Sequence, residues 1–494
     1  MTVPKALDAP HRPPSIFGPE YRAATLGILL VITLIAFEGM SVGVVMPDIA
    51  KELNALDLYG ISFSAFLIAS LFANVVAGLW SDRRGYPLPF LAGVVLFVTG
   101  MALAGAAQSA VMFLVARAVQ GLGAGAAVVA LLVMIARVYP GHVRPRAFAA
   151  VSAAWVLPAM VGPAVAGFVA TQWDWRFVFY GIIPLVVPAL VMLVPALRLQ
   201  SAPAESTSGR SASGESAVDA SAGSSSGESA SGRSASDESV RGPRSRPVAM
   251  TLAATATAGG AGVLLHGVDR VHLTPVPGTV EAVVGLAFLV YGLYRLLPPG
   301  ALRFVRGLPT TVLMRGFFSA AFFGVNSFIP LALEVVKGFE LSQAGVALTT
   351  GALGWSAGSY LQSRQDGAAA HRRIRLGAAS LMIAILVCLL CVLPGVTGWI
   401  AVPAWIAAGF GMGFGMTTVS VTALQQSPVS EQGANSAALS VSDQLGSALS
   451  IGVAGALVNV IGHSAGQIAT GFVVICALMG GIALMATLLA GRTR

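Results

Sequence analysis

Four ionisable residues lie deep inside long apolar runs of this chain: Glu38, Arg117, Arg315 and Asp443. A charge at the centre of a bilayer costs about 2.5–3.5 kcal/mol or more, so such residues mark function by default. A carboxylate in this setting can exchange a proton. Removal from water favours its neutral form and a nearby guanidinium its charged form, so a cycle that alters either influence moves the proton. Arg117 stays protonated at any usual pH and, once buried, needs an anionic or strongly polar partner. At 1.5 Å per residue, Glu38 lies about 21 Å from the start of its run at Ala24. Arg117 lies roughly 20 Å from the same side. The two share a level, so a proton-exchanging pair is geometrically open to them, as is a static bridge. Asp443 is a second protonatable candidate, or faces a wet vestibule. Arg315, about 9 Å from the end of its run, could extend its head group to water.

The elements that must hold these residues are membrane spans. The chain has 494 residues, of which 56% are hydrophobic and only 10% charged, against about a quarter charged in soluble proteins. A helix of about twenty apolar residues crosses roughly 30 Å of hydrocarbon, and fourteen such runs are laid out as six, two and six. The predicted organisation is a tail at 1–23, a six-helix bundle at 24–197, a linker at 198–248, an inserted helix pair at 249–297, a second six-helix bundle at 298–491 and a tail at 492–494. The linker is mostly Ser, Ala and Gly and cannot bury enough surface to offset its ordering entropy, so it is expected to be disordered. With that segment set aside, seventeen Lys and Arg fall on one side of this layout and four (Lys51, Arg176, Arg270 and Lys337) on the other. That is the positive-inside pattern, with both termini in the cytoplasm. The even insert keeps the second bundle in the orientation of the first, as in transporters built from parallel repeats.

Composition also excludes. The net charge of +8 comes from Arg spread over loop ends rather than a basic face, which fits the anionic leaflet and not nucleic acid. The three cysteines, Cys388, Cys391 and Cys476, lie within apolar runs without a second ligand set, so packing is their expected role and no metal is. No H-E-x-x-H, G-x-S-x-G or phosphate-loop pattern occurs, so neither catalytic residues nor a cofactor are expected.

Several motifs carry a family resemblance. Gly78-Leu79-Trp80-Ser81-Asp82-Arg83-Arg84-Gly85 resembles motif A of the major facilitator superfamily, G-x-L-A-D-R-x-G-R-K, with Tyr86 and Pro87 in place of its last basic pair. Arg117 through Ala126, with Gln120, Gly121, Gly123 and Gly125, is similar to motif B, R-x-x-Q-G-x-G-A. Phe37 to Pro47 resembles the helix 1 pattern L-D-x-T-I-V-N-V-A-L-P of the fourteen-helix drug:proton antiporters, with Glu38 on the acidic position and Met40 and Gly43 replacing Thr and Asn. Gly162-Pro163-Ala164-Val165-Ala166-Gly167 is similar to antiporter motif C, and Trp173 to Phe179 to the W-x-W-R-x-x-F signature. In the second half, Asn326 and Pro330 echo helix 1, and Gly354 through Arg364 stands where a second motif A belongs.

The resemblance implies an all-α polytopic membrane protein of the major facilitator fold: two six-helix bundles plus two inserted helices, fourteen spans in all. It implies proton coupling through Glu38 and Arg117, to which Asp443 is added as the other acid inside a span. A cytoplasmic latch would involve Gly78, Asp82, Arg83 and Gly85. Helix packing would use Gln120, Gly121, Gly123, Gly125, Gly162, Pro163 and Gly167. Asn326, Trp155, Met412 and Met416 are candidates for a substrate cavity, although core packing is the better reading of the two methionines. The implied activity is export of small hydrophobic or amphipathic compounds against proton entry, by a monomer in the bacterial plasma membrane. Its partners would be the small-molecule substrate, protons and the lipid bilayer. A facilitator or symporter for one metabolite is the rival transporter, and a membrane scaffold or receptor the rival of another class.

Overall fold

Ser109 begins one helix by accepting a hydrogen bond on its side chain from the Met112 amide at 3.3 Å, and Ser464 and Gln467 close a reciprocal capping box at another. Pro87 and Pro275 open helices at positions whose amide would be unpaired in any case. Gly85, with φ of 82°, ends a helix in backbone that a side chain would strain. With such local punctuation the computed structural model describes residues 15–54, 56–140, 143–198, 245–364, 369–428 and 431–494. Residues 1–14 of the expected tail at 1–23 and residues 199–244 of the expected linker at 198–248 lie outside the described residues.

The first bundle comprises α1 (Arg22–Glu52), α2 (Tyr59–Arg84), α3 (Pro87–Gly105), α4 (Ala110–Val138), the broken passes α5 (Arg144–Ala154) with α6 (Val156–Gln172), and α7 (Arg176–Tyr180) with α8 (Ile183–Arg198). The inserted pair is α9 (Ser245–Arg270) and α10 (Pro275–Leu296). The second bundle comprises α11 (Leu308–Asn326) with α12 (Ile329–Lys337), α13 (Leu341–Ser363), α14 (Ala370–Leu389), α15 (Ala401–Gln426), α16 (Gln432–Ile461) and α17 (Ala465–Leu489). Among the described residues, twelve helical passes are long and apolar enough to cross a membrane. A count of fourteen rests on two more. Val156–Gln172 is apolar but short, and Leu341–Ser363 is long but carries Gln343, Thr349, Thr350, Ser356 and Gln362. The two pack against each other where the bundles meet.

Each bundle repeats one packing plan. In the first, α1 lies against α6 and α8 while α4 lies against α2 and α3. In the second, α11 lies against α16 and α17 while α15 lies against α13 and α14. The bundles meet through α2 with α16 and through α6 with α13. Their named contacts concentrate at the arginine-poor end. There the Gly60 and Gly455 backbones pack face to face, and Ser64 Oγ donates to the Ala448 carbonyl at 2.7 Å. Tyr59 Oη donates to the Ser327 carbonyl at 2.8 Å, and Lys51 pairs with Glu334. The buried apolar residues follow the same division. One cluster fills the second bundle and crosses into the arginine-poor end of the first at Met46, Tyr59, Phe113 and Trp175. The other holds first-bundle residues and Ile16 just before them, with Ile28, Phe90 and Tyr139 toward the arginine-rich end.

α9 and α10 form a hairpin with its own interior. Glycines recur every seven residues, at Gly260 and Gly267 on one helix and Gly278, Gly285 and Gly292 on the other, and each presses on the partner's backbone. Such spacing puts one small residue per two turns on a single face, so the axes can close.

Candidate functional site

α1 and α4 cross inside the first bundle, and their crossing brings together the two charges that share a level in the sequence. Arg117 Nη1 donates to Glu38 Oε1 and also to Gln120 Oε1, the latter at 2.8 Å. The guanidinium lies over the Phe66 ring of α2, 4.5 Å from its centroid, which supplies a second, quadrupolar source of stabilisation. Side-chain exposure is 1% for Glu38 and 3% for Arg117, so the pair is sealed from solvent. Glu38 Oε2 has no hydrogen-bond partner.

The motif B glycines make this crossing possible by facing two different helices. Gly121 and Gly125 press on the α2 backbone at Phe66 and Ser70, whereas Gly123 presses on α3 at Phe97 and Gly93. Gln120 packs against Gly100 of α3. In motif C, Gly162 faces Ser41, Phe37 and Met40 of α1. The Pro163 carbonyl would lie 3.1 Å from a Cβ at Gly345, and Gly167 faces Leu341 and Ser342, so these positions stand on the junction with α13.

The seam between the bundles opens beside Glu38. A Cβ at Gly43 of α1 would lie 3.8 Å from Leu348 of α13. Gly39, one turn nearer the arginine-rich end on the same helix face, would meet no atom within 4 Å.

The second bundle carries a counterpart that the sequence left as two separate residues. Arg315 reaches Asp443 Oδ2 through Nη2 at 3.2 Å and Nε at 3.4 Å, and its Nη1 donates to Ser420 Oγ at 2.6 Å. Ser319 Oγ donates to Asp443 Oδ1. Instead of extending to water at the helix end, Arg315 is held among α11, α15 and α16. The reason is the close approach of Gly316 to Ser442 and of Gly446 to Gly316, which sets α11 and α16 side by side. Exposure here is 24% for Arg315 and 25% for Asp443. One intramembrane pair is sealed and the other is open.

The remaining candidates are dispersed. Asp82 and Arg83 are exposed at the arginine-rich end of α2, next to the buried Gly85. Gly78 is in ordinary contact with Val129 of α4. Asn326 Oδ1 accepts from the fully buried Trp405 indole at 2.9 Å. Met412 and Met416 are buried within the second bundle. Trp155 is 38% exposed at the break between α5 and α6.

Comparison with known proteins places the fold. The chain is similar to the crystal structure of a peptide transporter POT in complex with alafosfalin, with a TM-score of 0.63, 14% identity and coverage of 97% of this chain and 96% of that one. It is also similar to the human organic anion transporter MFSD10, with a TM-score of 0.57, 14% identity and coverage of 96% and 99%. Among curated sequences, the multidrug transporter protein MdtP of Bacillus subtilis is 26% identical over 179 residues, 36% of this chain and 33% of that protein. The multidrug efflux pump SdrM of Staphylococcus aureus is 25% identical over 174 residues, 34% and 38% of the two. The chain thus spans about a third of the length of the curated relatives it matches. The Major Facilitator Superfamily family model matches residues 28–451, most of the described helices and both ion pairs, and this chain belongs to that family.

Proposed function

We propose that the protein is a secondary active transporter that exports small hydrophobic or amphipathic compounds in exchange for protons. The observation that carries the reading is the sealed Glu38–Arg117 pair, one residue away from the open space at Gly39. In this reading the arginine-rich end is cytoplasmic, both termini lie on that side of a bacterial plasma membrane, and the conformation faces inward. The protein works as a monomer.

The chemistry follows from the bonds. Glu38 holds Arg117 through Oε1 alone, so Oε2 can receive a proton without displacing the guanidinium. Protonation removes the charge of the carboxylate and leaves Arg117 facing a neutral carbonyl oxygen, Gln120 and the Phe66 ring, a weaker set of partners for a buried cation. The energy of the first bundle therefore depends on whether the proton is on. Rocking the bundles exposes the neighbourhood of Glu38 first to one side and then to the other. The Arg315–Asp443 pair, being accessible, serves as the polar contact for substrate or as a second proton site. Asp82 and Arg83 form the latch at the cytoplasmic end, engaged when that end closes.

The test is flux in proteoliposomes with and without an imposed pH gradient, using a panel of lipophilic cations, neutral antibiotics and metabolites. Glu38→Gln keeps the shape of the side chain but not its titratable proton. Accumulation against a gradient is expected to fall to background while downhill exchange persists. Uphill transport at the parent rate in this variant would reject Glu38 as the coupling site. Accumulation with the proton gradient in the same direction as the substrate would favour a symporter.

A further inference from the structure

The inserted hairpin meets the bundles through α9, and α9 touches both of them: α2 of the first and α16 of the second. It does so where those two helices cross at Gly60 and Gly455. Leu265 of α9, itself buried, packs onto Gly452 of α16, one turn from that crossing. At the end of the seam a single amide joins three elements. Asn459 of α16 donates through Nδ2 to the Asp57 carbonyl, in the turn before α2, at 2.7 Å, and to Asp269 Oδ1 in the last turn of α9 at 2.6 Å.

We propose that the hairpin is a strap holding the α2–α16 seam shut at the arginine-poor end. When the bundles part there, α9 cannot follow both. Either its contact with α2 or its contact with α16 is given up, and the Asn459–Asp57 bond between the bundles breaks with it. The hairpin therefore lowers the energy of the state closed at this end relative to the open one. It acts from outside both bundles and far from either intramembrane ion pair. The proposal rests on the reading that the bundles alternate. Its test needs neither substrate nor a proton gradient, so it stands or fails separately from the Glu38 experiment.

Spin labels at Gln108, between α3 and α4, and at Gly466, in the first turn of α17, report the separation of the bundles at this end. Double electron–electron resonance in lipid nanodiscs then compares the parent full-length chain with Asp269→Ala and Asp269→Asn. Asp269 belongs to neither bundle, yet Asp269→Ala is expected to raise the long-distance population about fivefold, the size of one lost hydrogen bond. Asp269→Asn keeps the acceptor oxygen and the parent distribution, which also guards against general misfolding. Parent-like distances in Asp269→Ala would overturn the strap, as would equal widening in both variants.

Discussion

A guanidinium that loses its carboxylate inside a membrane has nowhere to send its charge. A carboxylate that loses its guanidinium can shed its charge only by taking up a proton, and the two ion pairs of this chain differ in how far that matters. Arg117→Ala strands a sealed Glu38 and is expected to cost about 3–5 kcal/mol of stability. Arg315→Ala leaves Asp443 partly wet and bonded to Ser319, so about 1 kcal/mol is expected there. Thermal unfolding in detergent of both variants checks the contrast, and equal losses would mean that sealing is not what separates the pairs. Glu38→Asp shortens the side chain beside Arg117 and should retain partial coupling with a shifted pH profile, read from initial uptake rates over a pH series. Counting residues along two helices made the level of Glu38 and Arg117 legible, because rise per residue is fixed. Azimuth is not fixed in that way. Nothing in the runs around Arg315 and Asp443 shows which face each presents, so their pairing emerged only once α11 and α16 lay side by side.

Elements here are fitted by what they lack. Gly123 lies against the α3 backbone at Phe97 and Gly93, where a side chain has no room. Gly123→Leu should therefore force α3 and α4 apart and cost at least about 1–3 kcal/mol, the usual penalty of overpacking. Gly78→Ala adds a methyl at ordinary distance from Val129 and should leave stability unchanged. Yield of folded protein and thermal midpoint distinguish the two, and a tolerated Gly123→Leu would contradict the packing described. The run of small residues in α4 was plain in the sequence, but its division between two neighbouring helices was not. The seven-residue glycine repeat of α9 and α10 was equally present in the sequence, but that its two halves face each other was not. Hydropathy undervalues Leu341–Ser363, because its hydroxyls at Thr350 and Ser356 bond to carbonyls of their own helix and the span need not be apolar throughout.

At the scale of the molecule, charge asymmetry and packing bear on orientation from independent directions. Cysteines placed at Ala369 and at Pro275 should react with impermeant maleimide from opposite sides of the membrane, Ala369 from the cytoplasm. Labelling of both from one side would remove the proposed layout. A second check concerns the seam. Cysteines replacing Lys51 and Glu334, which are paired across the bundles, should cross-link under mild oxidation and halt turnover until reduced. The repeat of one packing plan in both bundles was foreshadowed by the six, two, six arrangement. The closed end was not, since conformational state is a balance of similar packings rather than a property of any segment.

The hairpin has a different kind of consequence, one of modularity. Its interior is its own, its glycines answer one another, and it touches its host through one helix. A unit of that kind returns the chain to the side it left. It can be gained or lost in a lineage, or moved by design, without rewriting either bundle's core. Excision of α9 and α10 should leave two folded bundles that still recognise each other, differing from the parent chiefly in how readily they separate.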